Sequence, residues 1–279
     1  MKKILEIIGI ITLLIGSFMY NEKVSTTAKL SDSLLEEIKA KSKEYKIKPI
    51  EPIINEDTII PGINGKTLNI KESYTKMKEI GYFNEKLLVY NEIKVKEILK
   101  NNKDKYIISG NKNKKEVSLV FIIDKTKNIK SLINTLHKEK IKATFFINSD
   151  YLEKNYNYII NLLKEGNSIG NLSKNRDYSD SDFVWMKTIL TNNNYQKNNY
   201  CFTSEKNKEI INMCALQNSY TILGNIIKNP FIEIKENLSG GSIYIMNIDD
   251  KTNRELANII KYIKSKGYKI KSLEKLLYE

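Results

Sequence analysis

The chain has 279 residues, of which 41% are hydrophobic and 28% charged, enough for one sizeable core with residues left over for an anchor or a small module. Lysine and arginine number 46 against 33 acidic residues, giving a formal charge of +13 that is scattered along the whole chain. No zinc-knuckle spacing, aromatic RNA-binding motif or helix-turn-helix pattern accompanies this charge, which argues against nucleic acid as a partner.

The N-terminus has the form of an export segment. Lys2 and Lys3 precede an uncharged run from Ile7 to Tyr20. This run is shorter than the span of about 20 residues that crosses a bilayer and fits the apolar part of a signal peptide. Residues 1–23 are therefore predicted to be a signal peptide or membrane anchor. We favour an uncleaved anchor at the cell membrane that leaves the remainder outside the cytoplasm, whereas cleavage would make the protein secreted.

Two segments are expected between the anchor and the main domain. Residues 24–57 contain a charge-rich amphipathic stretch and two prolines, and are predicted to be a stalk or linker. Residues 58–112 are predicted to form a small helical and extended module. In that module Asn69 and Glu72 resemble a helix-capping pair, and Gly81 fits the end of the helix.

From residue 113 to residue 279, short apolar runs alternate with amphipathic stretches. The predicted strands are "SLVFII", "KATFFIN", "SIGN", "NYCF", "YTIL" and "GSIYIMNI", and a helical pattern follows most of them. Regular alternation of this kind is typical of a parallel α/β sheet or barrel. Ligand chemistry in such folds gathers at the carboxyl ends of the strands, so those ends are the candidate site.

The same segments resemble the NodB-type polysaccharide deacetylases of carbohydrate esterase family 4. "VSLVFIID" is similar to the first strand of that family, "IKATFFINSDYLEKN" to its second strand and following helix, and "LLKEGNSIGNLSKNR" to its histidine-bearing segment. "GGSIYIMNIDD" with "IIKYIKSKGYKIKSLEKLL" resembles its last motif and closing helix. The resemblance implies a distorted (β/α) barrel and a hydrolase that removes N-acetyl groups from cell-wall or chitin-like sugars.

Active members of that family use a divalent metal held by one aspartate and two histidines, with a second aspartate as base and a histidine as acid. Such a metal polarises the amide carbonyl and acidifies water, while the two other groups move protons. By resemblance the base falls on Ile122 and the metal aspartate on Ile123. The histidine ligands fall on Leu172 and Arg176, and the histidine of the last motif falls on Asn247.

None of these positions carries the residue that the chemistry requires. We therefore predict no catalytic residues, no metal and no cofactor. The degenerate cleft is defined by Ile122, Ile123, Asp124, Leu172, Arg176 and Asn247. We expect the two isoleucines to seal its floor, and the Arg176 cation to repel a metal ion.

Two alternatives remain open. A site built only from the carboxylates of Asp124, Asp150 and Asp249 would make the protein an active carbohydrate deacetylase with non-standard residues, although Asp249 also fits a helix cap. Cys201 and Cys214, which are the two cysteines of the chain, either form a disulfide or remain as buried thiols.

The sequence thus predicts a membrane-anchored, extracytoplasmic, deacetylase-like protein without catalytic activity. Its expected partners are peptidoglycan or another cell-wall glycan, the membrane through its N-terminal segment, and a protein of the cell envelope. Its expected role is glycan binding or envelope scaffolding.

Overall fold

The computed structural model describes residues 9–21, 33–123, 129–172, 180–192 and 196–278. The chain divides into two compact units. Unit 1 comprises Met1–Pro49 and Asn64–Lys94, and unit 2 comprises Ile50–Ile63 and Val95–Glu279.

The helices and strands are as follows. The helices are α1 (9–21), α2 (Ser33–Lys41), α3 (Ile70–Lys78), α4 (Ile129–Lys138), α5 (Ser149–Lys154), α6 (Tyr156–Lys164), α7 (Asp180–Thr191), α8 (Lys208–Leu216), α9 (Pro230–Asn237), α10 (Asp250–Ser265) and α11 (Leu273–Leu276). The strands are β1 (Ile53–Ile54), β2 (Thr58–Ile60), β3 (Gly65–Leu68), β4 (Tyr90–Ile93), β5 (Tyr106–Ile107), β6 (Glu116–Ile123), β7 (Thr144–Ile147), β8 (Ser168–Asn171), β9 (Asn199–Thr203), β10 (Ser219–Leu223), β11 (Ile226–Ile227), β12 (Ile243–Asn247) and β13 (Lys269–Lys271).

Helix α1 occupies most of the predicted export segment, and its residues are exposed. Across the residues that the structure describes, none of the helices combines the length and apolar character needed to cross a membrane. Anchoring in a membrane therefore stays a prediction.

Unit 1 has a small core between α2, α3 and the antiparallel pair of strands β3 and β4. Its buried side chains are Leu34, Ile38, Leu68 and Met77. Helix α3 begins where the Asn69 side chain accepts a hydrogen bond from the Glu72 N–H, at 3.0 Å, as the capping pattern predicts. Residues 33–41, which we placed in a linker, thus contribute a packed helix to this unit.

The predicted module of residues 58–112 is divided between the two units. Strand β5 pairs in parallel with both β2 and β10, so β2 and β5 extend the large sheet of unit 2. Of the predicted module, only the segment Asn64–Lys94 belongs to unit 1. These boundaries differ from the predicted ones because two- and three-residue strands are too short to show a period in the sequence.

The large sheet of unit 2 runs in the order β1-β2-β5-β10-β9-β8-β7-β6-β12-β11, and β13 also pairs with β6. All pairings in it are parallel except that between β1 and β2. Helices follow most of its strands, as the alternating pattern predicts. The sheet curls into the half-barrel that fits a NodB-type fold.

Two hydrophobic cores cover the two faces of this sheet. The concave face carries an inner core of Ile59, Leu99, Ile107, Val120, Ile122, Phe146, Leu172, Tyr200, Phe202, Tyr220, Ile222, Ile245, Leu273 and Leu277. The outer core packs the other face against helices such as α4, α6 and α10. Side chains along β6 alternate between them, since Phe121 and Ile123 belong to the outer core and Val120 and Ile122 to the inner core.

Helix α11 closes the inner core at the amino-terminal side of the sheet. The Leu273 N–H donates to the Thr144 hydroxyl at 2.8 Å, and the Tyr200 hydroxyl donates to the Glu274 carboxylate at 3.0 Å. Leu273 and Leu277 are buried in the inner core. The opposite, carboxyl-terminal side of the sheet holds the candidate site.

Candidate functional site

Strands β6, β7 and β8 lie side by side and parallel, so their carboxyl ends meet at one edge of the half-barrel. Ile122 and Ile123 end β6, and Leu172 directly follows β8. The Leu172 N–H donates to the Ile147 carbonyl at 2.8 Å, which holds the end of β8 against β7. The structure therefore places Ile122, Ile123 and Leu172 at one edge of the sheet.

The two isoleucines of β6 face opposite sides of the sheet. Ile122 is 2% exposed and belongs to the inner core with Leu172, whereas Ile123 is fully buried in the outer core. Our expectation that both seal the cleft floor is therefore corrected. Of the two isoleucines, Ile122 alone lies on the inner face, because successive residues of a strand point to opposite faces.

The inner face beside Ile122 is filled by aromatic side chains. Phe146 lies opposite Ile122 on β7, and the Phe146 and Phe202 ring centroids are 5.6 Å apart. A Cβ atom added to Gly170 on β8 would lie 2.3 Å from the Phe146 ring, so only glycine leaves room for that ring. Phe146, Phe202 and Leu172 are each 3% exposed or less. This part of the inner face is a packed apolar core.

Of the three remaining positions of the degenerate cleft, the structure describes only Asn247. Asn247 ends β12, pairs in register with Ile122 and is exposed to solvent. Asp124 and Arg176 lie outside the described residues. The proposed repulsion of a metal ion by Arg176, and a rescue by Asp124, stay predictions.

The two described carboxylates near the strand ends, those of Asp249 and Asp150, belong to two different helices. Asp249 caps α10, where its side chain accepts a hydrogen bond from the Thr252 N–H at 2.7 Å. Asp150 lies in the first turn of α5. Within the described part of the chain, no group of three or more His, Cys, Asp or Glu side chains is arranged to hold a metal ion.

The residues present do not fit the metal that the fold family uses. Ile122, Ile123 and Leu172 offer no oxygen, nitrogen or sulfur donor, and divalent metals in proteins require such ligands. An acid at position 123 would also point into the outer core, away from the other two positions. These three residues therefore cannot supply ligands for metal-assisted hydrolysis.

The two cysteines are joined in a disulfide between β9 and α8. Both are fully buried, and they form a small cluster with Phe183. The bond ties β9, which lies between β8 and β10 in the sheet, to helix α8.

The single histidine lies away from the strand ends. The His137 Nε2 atom on α4 is 2.7 Å from the Glu165 carboxylate beyond α6, and both side chains are partly exposed. This pair joins the ends of two outer helices.

The sequence reading did not identify the side chains that fill the inner face. Phe146, Phe202, Ile222 and Ile245 come from four different strands and meet only when the sheet curls. The available signal was the alternation within each strand, which places every second residue on one face. Which faces meet depends on strand order, and that order is not local in the sequence.

Comparison with known proteins finds a matching family model, a similar protein and two similar solved structures. A family model described as polysaccharide deacetylase matches residues 109–219. The chain is similar to the protein YlxY of Bacillus subtilis (strain 168), with 28% identity over 282 residues that cover 94% of this chain and 88% of the relative.

Among solved structures, wild-type BA3943 from Bacillus anthracis, described as a CE4 family pseudoenzyme, has 23% identity and a TM-score of 0.67. The match covers 89% of this chain and 96% of that one. The Bc1960 peptidoglycan N-acetylglucosamine deacetylase has 19% identity and a TM-score of 0.53, over 61% of this chain and 92% of that one. At these identities the likeness shows a shared fold.

Proposed function

Because this chain carries a polysaccharide deacetylase domain of the NodB, CE4 type, we propose that it is an inactive deacetylase-like protein of the cell envelope. It is held at the outer face of the cell membrane by its N-terminal segment. It acts by binding cell-wall glycan or by scaffolding envelope proteins.

The observation that carries the proposal is the apolar burial of the family's catalytic positions. Ile122 and Leu172 are each 2% exposed and lie in the inner core, while Ile123 is fully buried on the other face. Amide hydrolysis in this family needs an open metal position, a base and an acid. Packed isoleucine and leucine side chains supply none of the three.

Three similar structures support this proposal. BA3943 is described as a CE4 family pseudoenzyme, and a mutant of it as having restored enzymatic activity. Bc1960 is described as a peptidoglycan N-acetylglucosamine deacetylase, which suggests cell-wall glycan as the ligand class.

Export is supported by two features of the chain. Lys2 and Lys3 precede an apolar run, the arrangement of a signal peptide or signal anchor. Cys201 and Cys214 form a disulfide, a bond that persists in oxidising compartments outside the cytoplasm.

Acetate release tests the loss of activity. The full chain is incubated with N-acetylglucosamine oligomers or peptidoglycan, with Zn²⁺, Co²⁺ or Mn²⁺ added, and acetate is measured against a buffer control. We expect no release with any metal. Release that disappears in the Asp124→Ala variant would instead establish an active deacetylase with a non-standard carboxylate.

Sedimentation with insoluble peptidoglycan tests the binding role. The peptidoglycan is first stripped of phosphate-containing polymers, so that retention reports on the glycan itself. We expect the full chain to be retained in about 1 M salt, where the Debye length falls to about 3 Å, and to be released by soluble N-acetylglucosamine oligomers. Loss of retention at that salt concentration would refute glycan recognition and leave the scaffolding role.

A further inference from the structure

A basic hollow lies at the amino-terminal end of β6, in unit 2. It has a volume of about 460 Å³ and is lined by Lys114, Lys115, Glu116, Gly267 and Lys269. This volume lies within the range of about 300–1,000 Å³ that small-molecule sites occupy.

The walls of the hollow are fixed by the sheet. Strand β13 pairs in parallel with β6, so that Lys269 lies opposite Glu116, and the Lys269 N–H donates to the Lys115 carbonyl at 2.9 Å. The turn before β13 contains Gly267 at a φ of +79°, a conformation that favours glycine. Lys269 is thereby held on β13, next to Lys115, which directly precedes β6.

The residues that line the hollow carry an excess of positive charge. Three of the residues that line it are lysines, and one, Glu116, is acidic. The Lys114 ammonium donates to the Leu276 carbonyl at 3.0 Å and to the Tyr278 carbonyl, which holds it in place. Lys115 and Lys269 are exposed, and neither forms an ion pair within the described part of the chain.

We propose that this hollow binds the phosphate groups of an anionic polymer. A lysine ammonium is a compact charge that suits phosphate oxygens, and two lysines that line one hollow can contact one phosphate or two successive ones. The formal charge of +13 attracts a polyanion at long range. A polymer with a phosphodiester in each repeat unit satisfies both features.

This site is distinct from the strand-end site of the proposed function. Glu116 begins β6 and Ile123 ends it, so that the two sites are separated by about 23 Å at about 3.3 Å per residue. Phosphate binding at the hollow therefore does not require a glycan at the strand ends, and each is testable without the other.

The test is binding of the full chain to soluble poly(glycerol phosphate), measured by calorimetry at low salt. The variant Lys115→Glu with Lys269→Glu reverses two charges in the hollow. The control variant Lys208→Glu with Lys235→Glu makes the same change in net charge at two exposed helix positions. Thermal unfolding checks that each variant is folded. If the first variant does not fold, Lys115→Gln with Lys269→Gln replaces it.

We expect the hollow variant to bind the polymer about tenfold or more weakly, and the control variant to lose less than about threefold, because screening limits the effect of distant charges. We also expect the hollow variant to show a shallower dependence of affinity on salt. An equal loss of affinity in both variants would show that diffuse surface charge, and not the hollow, binds the polymer. No binding by the wild-type chain would overturn the proposal.

Two further probes distinguish the source of the phosphate. Inorganic phosphate should compete with the polymer, because the recognised group is the same. Vesicles of phosphatidylglycerol and phosphatidylcholine test a lipid headgroup instead. Binding to these vesicles without binding to the soluble polymer would overturn the commitment to a polymer.

Discussion

Alternation along β6 gives the last two residues of the strand different surroundings. Ile122 contributes to the inner core and Ile123 to the outer core, although the resemblance to the deacetylases aligns both with acids. Restoring the two acids would therefore not place them side by side on the same face of the strand.

The variant Ile123→Asp tests the burial of this position. We expect it to lower the free energy of unfolding by about 3–5 kcal/mol, because it leaves an unpaired charge in a dry core. The control Ile123→Val should cost about 0.5–1.5 kcal/mol. Urea unfolding measures both. An aspartate variant as stable as the valine variant would show that the position is open to water or to a cation.

At the residue scale the sequence could show which chemical groups are missing, and it could not show what replaces them. The identities of Ile122 and Leu172 are sufficient to exclude ligands at those positions. The packing of Phe146 over Gly170 depends on two strands whose pairing is set by the whole sheet. No local sequence pattern predicts that contact.

At the scale of elements, α11 is joined to β9 and β7 by polar contacts as well as by burial. The Tyr200 hydroxyl and the Asn198 side-chain amide both donate to the Glu274 carboxylate, at 3.0 and 3.2 Å. Burial, followed by the nearby Glu274 charge, raises the pKa of Tyr200 well above its ordinary value of 10.0. The neutral phenol is thus the form that the folded state favours.

This shift predicts how stability depends on pH. The contribution of Tyr200 is fully present below pH 10 and is lost as the pH rises further, by about 1.4 kcal/mol per pH unit, because the unfolded chain releases the proton first. The stability difference between the wild type and Tyr200→Phe should therefore shrink above pH 10.

Urea unfolding at a series of pH values measures the difference. Tyr156→Phe is the matched control, since Tyr156 is 41% exposed. A gap between wild type and Tyr200→Phe that stays constant above pH 10 would contradict the assignment of a buried phenol.

The longer elements were predictable and the shortest were not. The pattern of "SLVFII" and the helical stretch that follows it correspond to β6 and α4, because each is long enough to show its own period. Strands β1, β2, β5 and β11 have two or three residues each. Such segments can be recognised as strands only from their pairing with neighbouring strands. Two of them, β2 and β5, lie in the predicted module of residues 58–112 and join it to the large sheet, so the module and the compact units have different bounds.

For the whole molecule, the disulfide links folding to the compartment in which the chain resides. Cys201 and Cys214 enclose a short loop, with a sequence separation of 13. Closure of such a loop restricts the unfolded chain and typically adds about 2–4 kcal/mol of stability.

Replacing both cysteines by alanine should therefore lower the free energy of unfolding by about 2–4 kcal/mol. The comparison is made with the wild type under oxidising and reducing conditions. The reduced wild type should approach the variant in stability. An oxidised wild type no more stable than the variant would show that the bond makes no net contribution.

The closure of the half-barrel by α11 also has a consequence for the time course of biosynthesis. Thr144 receives its partner Leu273 only after 129 further residues have been added to the chain. The inner core of unit 2 therefore stays unfinished during most of translation. The export that we propose for this chain requires the polypeptide to stay unfolded until it has crossed the membrane, and a closing contact that forms late in synthesis delays the folding of this core.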